Sequence, residues 1–365
     1  MSDFSYEIGS DNIAIVKWDV PNKKFNVLTL EGIDEIENIL DDLFEKNGLK
    51  GVIISSNKDN FSAGMDLNVL AHLQDQSKNK EEIFQFVMRA HKFLRKIELG
   101  GRDSKTKKTA IPFVWACNGL SAGIATEIGL ACHYRIAANI KNTKIGLPEV
   151  KLGIIPGAQG TQRLSRVSSV EFALKLATLG NPVGAQEALE AGAIDKISNG
   201  ELIDDAVSYA EELLKNNAPL KKSHTLSIDP KKYNDSFFND YRKTISRKTR
   251  GMAAPECCIK AIQASVNLPF EEGVKFEREM TIECRDNPQS KALQHVFFAE
   301  RQAAKVPGLS KDTPLQAIKK VGVIGAGTMG GGISMNFANV GIPVKILEMD
   351  QAALDKGLGL SLIHI

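Results

Sequence analysis

The chain has 365 residues, of which 43% are hydrophobic and 25% charged, and its formal net charge is +2. This length exceeds one ordinary domain of ~100–200 residues, so we expect more than one domain, and the balanced composition excludes wholesale disorder. The weak charge argues against nucleic acid as a partner, the five cysteines lack the spacing of a disulfide framework or zinc site, and no apolar run reaches the ~20 residues of a membrane span.

The first two hundred residues alternate short apolar runs with amphipathic stretches, which is typical of a parallel α/β fold. Strands are predicted over 13–18, 51–55, 111–117, 134–138 and 145–150, and helices over 30–44, 123–131, 168–179, 184–191 and 203–214. The repeated order of strand, loop and helix predicts a first domain over residues 1–200.

A helical and linker region is predicted over residues 201–314. Between Lys215 and Arg250 basic residues far outnumber acidic ones, which predicts a solvated connection. Residues 253–304 show a helical pattern interrupted by prolines, and the Pro/Gly-bearing stretch 306–314 predicts a linker.

A glycine loop stands near the end of the chain, between a predicted strand over 321–327 and a predicted helix over 328–339. Its G-x-G-x-x-G spacing is typical of a dinucleotide site, where glycines let the backbone approach a pyrophosphate at a helix N-terminus. Glu348 ends the next predicted strand, 344–347, and favours NAD because an acidic side chain repels the 2′-phosphate of NADP. The predicted cofactor residues are Gly325, Gly327, Thr328, Met329, Gly330 and Glu348.

This last domain, residues 315–365, is expected to be a partial Rossmann fold. A dinucleotide fold needs two β-α-β-α-β halves, and the sequence offers one β-α-β unit and the beginning of a helix. We therefore expect negligible NAD binding by this chain. Residues 361–365 carry no cap or stop signal, which indicates a truncated reading frame.

Three segments carry a second kind of chemistry: NFSAGMDL (60–67), NGLSAGIATE (118–127) and GLPEVKLGIIPGAQGTQRL (146–164). They resemble the signatures of the crotonase superfamily. Their order, followed by the glycine loop, resembles the bifunctional β-oxidation enzymes that join an enoyl-CoA hydratase to a 3-hydroxyacyl-CoA dehydrogenase. The resemblance implies an α/β fold with a crotonase-like ββα spiral core, a CoA thioester as substrate, and NAD as cofactor of the intact parent protein.

The resemblance also implies the site residues for hydration of trans-2-enoyl-CoA to L-3-hydroxyacyl-CoA. Backbone N–H groups of Ala63 and Ile124 would hold the thioester oxygen, Glu127 would hold the water, and Glu149 would protonate Cα. Such roles agree with the chemistry, because enolate charge needs preorganised donors and one water needs two carboxyl groups. Glu149 alone would serve a Δ3–Δ2 isomerisation. The remaining predicted substrate residues are Gly64, Asp66 and Gly123, and no metal ligand is predicted.

One residue departs from the family pattern, which has consecutive glycines where this chain has Gly123-Ile124-Ala125. A branched side chain at an expected oxyanion donor narrows the pocket or shifts the helix start. Ile124 and the truncated end leave open a CoA-ester-binding domain with impaired catalysis. A CoA-ester isomerase without hydratase activity is a separate alternative, which the two glutamates disfavour.

Partners and compartment are expected from the same resemblance. Acyl-CoA substrates are the expected ligands, and a thiolase subunit and self-association are the two protein partners left open. Unpaired cysteines and the absence of an export signal at the N-terminus favour a bacterial cytoplasm, with the peroxisome or mitochondrion as the eukaryotic alternatives.

Overall fold

The structure is a computed structural model that divides into two compact units, Met1–Arg301 and Gln302–Ile365. It describes residues 2–69, 79–101, 110–303, 305–310 and 313–364. The domain boundaries predicted at 200/201 and 314/315 stay predictions.

A six-stranded sheet forms the centre of the first unit. Its strand order is β1-β2-β3-β4-β6-β8, in which β1 is antiparallel to β2 and every other neighbouring pair is parallel. A second, two-stranded parallel sheet joins β5 and β7. The strands are β1 (Phe4–Ile8), β2 (Ile13–Trp18), β3 (Gly51–Ser56), β4 (Phe113–Cys117), β5 (Leu120–Ala122), β6 (Tyr134–Ala138), β7 (Lys144–Gly146) and β8 (Lys196–Ser198).

Helices cover this sheet and extend to the end of the unit. The predicted apolar face of α1 is confirmed, because Ile33, Ile36, Leu40 and Leu43 are all buried. The helices are α1 (Leu30–Glu45), α2 (Lys80–Leu99), α3 (Ile124–Ala131), α4 (Gly160–Val167), α5 (Val170–Leu179), α6 (Ala185–Glu190), α7 (Leu202–Lys215), α8 (Asp235–Thr249), α9 (Ala253–Asn267), α10 (Phe270–Asp286) and α11 (Pro288–Ala303), with 3₁₀ turns at Glu149–Leu152 and Ser223–Thr225.

The prediction of a solvated connection between Lys215 and Arg250 is wrong for α8. Asn234 caps this helix by accepting a hydrogen bond from the Phe237 N–H, and Phe238 and Ile245 are buried. Two apolar residues seven positions apart occupy one face of a helix, and counting charges alone overlooks that face.

The helical region packs onto the sheet domain. Helix α9 contacts α4, α5 and α10, and α10 also contacts α4. Cys258 and Ile262 of α9 are fully buried in the same hydrophobic core as strand residues such as Trp18. Helices α9 and α10 therefore pack with the sheet domain around one hydrophobic core.

The second unit is a β-α-β unit followed by a helix. Strands β9 (Val321–Ile324) and β10 (Val344–Leu347) pair in parallel, with α12 (Thr328–Asn339) between them and α13 (Gln351–His364) after them. This confirms the predicted partial Rossmann fold. Across the described ranges, none of the helices combines the length and apolarity needed to cross a bilayer.

Candidate active site

Two of the three predicted signature segments are joined by backbone hydrogen bonds. Ser62 N–H donates to the Leu120 carbonyl at 2.9 Å, and Ala122 N–H donates to the Ser62 carbonyl at 3.1 Å. The loop after β3 thus runs beside β5, at the end of the chain segment that leads into α3. Gly64 has a φ of +100°, and a Cβ there would lie 2.9 Å from the Ala122 carbonyl oxygen, so the close approach requires glycine.

Glu127 lies in the first turn of α3 and is buried. Its Oε1 accepts hydrogen bonds from the Ala158 N–H at 2.9 Å and the Gly160 N–H at 2.8 Å. A Cβ on Gly160 would lie 2.6 Å from the same oxygen. The third signature segment therefore wraps directly around this carboxylate, and its glycine makes room for it.

Glu149 begins the 3₁₀ turn that follows β7. The residue is half-buried, and its Oε2 is buried and has no hydrogen-bond partner in the described part of the chain. Helix α11 covers this corner: a Cβ on Gly153 would lie 2.5 Å from Ser290 Cα. The Glu149 carboxyl also approaches α3, since a Cβ on Gly123 would lie 2.7 Å from its Oε1.

Burial raises the pKa of both carboxyl groups. The pKa of Glu149 rises to about 8, and the pKa of Glu127 rises well above its ordinary range, further raised by repulsion from Glu149 and Glu277. The two N–H donors act in the opposite direction on Glu127 and favour its ionised form. The backbone N–H of Glu149 has the same effect on its own carboxyl group, but Oε2 has no donor, so a proton held by the pair is better placed on Glu149.

The two predicted oxyanion donors differ in this structure. Ile124 N–H stands at the first position of α3 and has no acceptor among the described residues, so it is available to a ligand. Ala63 N–H instead donates to the Asn26 carbonyl at 2.9 Å. The Ile124 side chain is buried in the main core, 3% exposed, which places its bulk among the packed helices.

Asp66 holds its own loop. Its Oδ1 accepts the Asn68 N–H at 2.8 Å, and its Oδ2 accepts Lys23 Nζ at 3.0 Å. The first bond fixes the end of the loop after β3, and the second joins that loop to Lys23, 43 residues earlier in the chain.

Three residues near the site were not predicted from the sequence. The Asn26 side chain anchors the loop after β3, because its Nδ2 donates to the Phe61 carbonyl at 3.0 Å. His91 Nε2 contacts the Gly157 carbonyl at 2.8 Å, and burial lowers its pKa to about 4, so the neutral ring donates there. Glu277 of α10 is the third, and a glutamate on the buried face of an amphipathic helix is the signal that could have found it.

In the second unit, the predicted cofactor residues meet around the glycine loop. Gly325 has a φ of +97°, and a Cβ on Gly330 would lie 1.9 Å from its carbonyl oxygen, so helix and loop pack too closely for a side chain. Glu348 accepts the Ala326 N–H at 2.5 Å and the Met349 N–H at 2.9 Å. Gly327 caps α12, and Thr328 and Met329 begin it.

No group of three side chains suited to a metal ion occurs in the described ranges. The enoyl-CoA hydratase/isomerase model matches residues 9–229, more than half of the chain. The chain belongs to the enoyl-CoA hydratase/isomerase family. A second model, the NAD binding domain of 3-hydroxyacyl-CoA dehydrogenase, matches residues 320–361. The first match includes all three signature segments, and the second match includes the glycine loop.

Similar proteins carry both parts in one chain. The peroxisomal bifunctional enzyme of Cavia porcellus is 35% identical over 92% of this chain and 44% of its own length, and that of Homo sapiens is 32% identical over 91% and 44%. This chain thus spans less than half the length of these relatives. The crystal structure of enoyl-CoA hydratase from Bacillus halodurans, at 19% identity, covers 81% of this chain and 100% of that chain with a TM-score of 0.57, which shows the crotonase fold.

Proposed function

We propose that this chain hydrates trans-2-enoyl-CoA to L-3-hydroxyacyl-CoA, as a step of fatty-acid β-oxidation. The observation that carries the proposal is the pairing of the buried Glu127 with the half-buried Glu149, whose Oε2 is shielded from solvent. Glu127 has two N–H donors that favour its charged form, and Glu149 has a buried, unpartnered oxygen suited to a proton. Membership of the enoyl-CoA hydratase/isomerase family supports the same chemistry.

In the proposed reaction the two carboxyl groups begin in different protonation states. The Glu127 carboxylate takes a proton from water while the oxygen of that water forms a bond to Cβ. The double bond shifts its electrons toward Cα, which takes the proton of Glu149. Glu127 finishes protonated and Glu149 ionised, and one proton transfer between them restores the starting state.

Charge that develops on the thioester oxygen requires backbone donors. Ile124 N–H is available and stands at the N-terminus of α3, where the helix dipole favours negative charge. Ala63 N–H would take part only by exchanging the Asn26 carbonyl for the thioester oxygen. In the proposed site the Ile124 N–H can thus bind the thioester oxygen directly, whereas the Ala63 N–H must first leave the Asn26 carbonyl.

Hydration of crotonyl-CoA by the purified chain tests the proposal, followed by loss of absorbance from the conjugated thioester. Glu127→Gln and Glu149→Gln should each lower kcat by about 10²–10⁴-fold, the usual contribution of a general acid or base. Glu190→Gln changes an exposed glutamate of α6 and should behave as wild type. Absence of turnover in the wild-type chain that still binds acyl-CoA would favour an impaired CoA-ester-binding domain instead.

Isomerisation of 3-enoyl-CoA is a second candidate activity at the same site. It is favoured by the single unpartnered oxygen of Glu149, because moving a proton between two carbons of the acyl chain needs one carboxyl group and no water. Glu127→Gln should therefore retain isomerase activity after hydration is lost, whereas Glu149→Gln should lose both. Loss of isomerisation in Glu127→Gln would show that the two activities need the same pair.

Dehydrogenation belongs to a longer protein of the relatives' kind. Gly325, Gly327 and Gly330 fit a pyrophosphate, and Glu348 fits a ribose hydroxyl once it releases the Ala326 N–H. Bound NAD would accept hydride from the hydroxyacyl product. We propose that the hydration product is the substrate of that second activity in the parent, while this chain has negligible affinity for NAD.

Partners and compartment remain proposals that follow from the relatives and the cysteines. Acyl-CoA is the proposed small-molecule ligand, and a thiolase subunit or a second copy of the chain is the proposed protein partner. All five cysteines are free and buried, which fits a reducing compartment. The relatives are named peroxisomal, and the bacterial cytoplasm is the location that the sequence favours; sedimentation and microscopy of the tagged parent would separate these cases.

A further inference from the structure

A buried glutamate from outside the matched family domain contacts the turn that binds Glu127. The family match ends at residue 229, and Glu277 lies in the middle of α10, Phe270–Asp286. Its side chain is fully buried. Isolated carboxylates are almost never buried without partners, so the contacts of Glu277 reveal what it holds.

The turn 158–161 offers its backbone N–H groups alternately to two carboxylates. Ala158 and Gly160 donate to Glu127 Oε1, at 2.9 and 2.8 Å. Gln159 donates to Glu277 Oε1 at 2.8 Å, and Thr161 N–H donates to Glu277 Oε2 at 3.0 Å. The Thr161 hydroxyl donates to the same Oε2. Glu127 and Glu277 therefore bind opposite sides of one turn.

The conformation of the turn depends on these contacts. Gln159 has a φ of +72°, in the left-handed region that non-glycine residues rarely adopt. A strained residue persists only where its surroundings hold it, and here Glu277 accepts the N–H of that residue and of Thr161. Without the Glu277 carboxylate, two buried donors would lose their acceptors, which favours rotation of the turn.

We propose that Glu277 is a positioning residue for hydration, which fixes the turn 158–161 so that its other two N–H groups face Glu127. This inference rests on the proposed function and deepens it. It assigns to α10, which lies beyond the residues matched by the family model, a part in preparing the water-binding carboxylate.

The charge of Glu277 also acts on its neighbours. Burial raises the pKa of Glu277 to about 7, and its ionised form repels the charged forms of Glu127 and Glu149. Removing this charge should lower the pKa of Glu149, so the loss of activity at high pH should begin at lower pH. The titratable groups that interact with Glu277 are Glu127, Glu149, Cys258, Arg166 and Arg278.

The test uses the full chain with Glu277→Gln and Glu277→Ala, and Glu272→Gln as the matched control. Glu272 is an exposed glutamate of the same helix that pairs with Lys275. We expect kcat for crotonyl-CoA to fall by about 10- to 100-fold in both Glu277 variants, the size of effect produced by a small misplacement of a catalytic group. Binding of the saturated analogue butyryl-CoA should be unchanged, and the high-pH limb should shift to lower pH.

Thr161→Val is the second variant, which keeps the Glu277 carboxyl group and removes one hydrogen bond that favours its ionised form. It should lower kcat less than Glu277→Gln does, with a smaller shift of the high-pH limb in the same direction, and it decides the outcome if the Glu277 variants do not fold. A folded Glu277 variant with wild-type kcat and a wild-type pH profile would overturn the inference, even if its melting temperature fell. If the Glu277 variants do not fold, the same result in Thr161→Val would overturn it. A wild-type chain that does not hydrate crotonyl-CoA would overturn the proposed function instead.

Discussion

The two units of this chain differ in how much of their apolar surface they cover. The first unit fully buries large side chains such as Trp18, Trp115 and Phe113. In the second, Ile324 of β9 is 88% exposed and Met349, just after β10, is 98% exposed. A six-stranded sheet with helices around it can exclude water from ionisable groups, whereas one β-α-β unit cannot.

This difference decides what each unit can do with a carboxyl group. In the first unit burial raises the pKa of Glu149 to about 8, which suits a proton donor. In the second, backbone hydrogen bonds from Ala326 and then Met349 lower the pKa of Glu348, which suits an acceptor that stays charged. The second unit therefore carries a recognisable binding motif without forming a site that excludes water.

The largest expected effect concerns the buried ion pair of the first unit. Glu98 and Arg163 are both fully buried and 2.7 Å apart, so Glu98→Ala leaves an unpaired buried guanidinium. The free energy of unfolding of this unit should fall by about 3–5 kcal/mol, measured by urea denaturation. Glu7→Ala, which removes an exposed partner of Lys17, should change it by less than about 1 kcal/mol. If Glu98→Ala and Glu7→Ala lowered the free energy of unfolding equally, buried and exposed ion pairs would not differ in their contribution to stability.

Glycines of the two units should respond differently to a methyl group. Gly123→Ala brings a Cβ to 2.7 Å from Glu149 Oε1 at a φ of +57°, and kcat for hydration should fall by about 10²-fold. Gly325→Ala has a φ of +97° but meets no atom within 4 Å, and hydration should be unchanged. Steady-state kinetics of both variants measure this; a fully active Gly123→Ala would show that Glu149 is not held against α3.

The pH dependence of hydration should reflect the buried carboxyl groups. Because the reaction uses the proton of Glu149, whose pKa is raised to about 8, activity should fall roughly tenfold per pH unit above that value. Glu149 also affects stability: the native state keeps a proton that the unfolded chain loses near pH 4.5, so this group lowers the free energy of unfolding as pH rises from 4.5 to about 8. The Glu149→Gln variant should lack this contribution to the fall in stability.

The smallest expected effect is the response to NAD. Calorimetry should detect no micromolar binding, because the described part of the second unit provides one β-α-β unit and its Ala326 N–H is already bonded to Glu348. Butyryl-CoA titrated into the same sample serves as the positive control for an intact first unit. A micromolar dissociation constant for NAD would mean that half of the fold suffices for binding.

Strands β1, β5 and β8 and helices α2 and α4 were not predicted from the sequence, whereas the other five strands of the first unit, most of the helices and the location of the signature loops were. These depend on local patterns: continuous apolar runs for β3 and β4, helical spacing for α1, and glycines at the turns. The α8 helix was missed because its many charges hide a narrow apolar face. Local patterns suffice where a segment determines its own conformation.

The environment of the glutamates could not be predicted in the same way. Helix α11 packs against Gly153, at the end of the turn that Glu149 begins, and the turn around Glu127 depends on Glu277, which is 118 residues from Gln159 in the chain. Ala63 N–H bonds to Asn26, a contact that the motif alone does not reveal. Long-range contacts of this kind depend on how the helices pack, and no local pattern encodes them.

The contacts of the turn 158–161 limit how far this protein can be shortened. A segment cut at residue 229, where the match to the family model ends, would preserve all three signature segments and still lack Glu277, which accepts two of the four backbone N–H groups of that turn. The smallest portable module therefore extends at least through α10. Its boundary is set by hydrogen bonds between the turn and α10, so a module of this protein is defined by the contacts of its turn and not by the extent of its motifs.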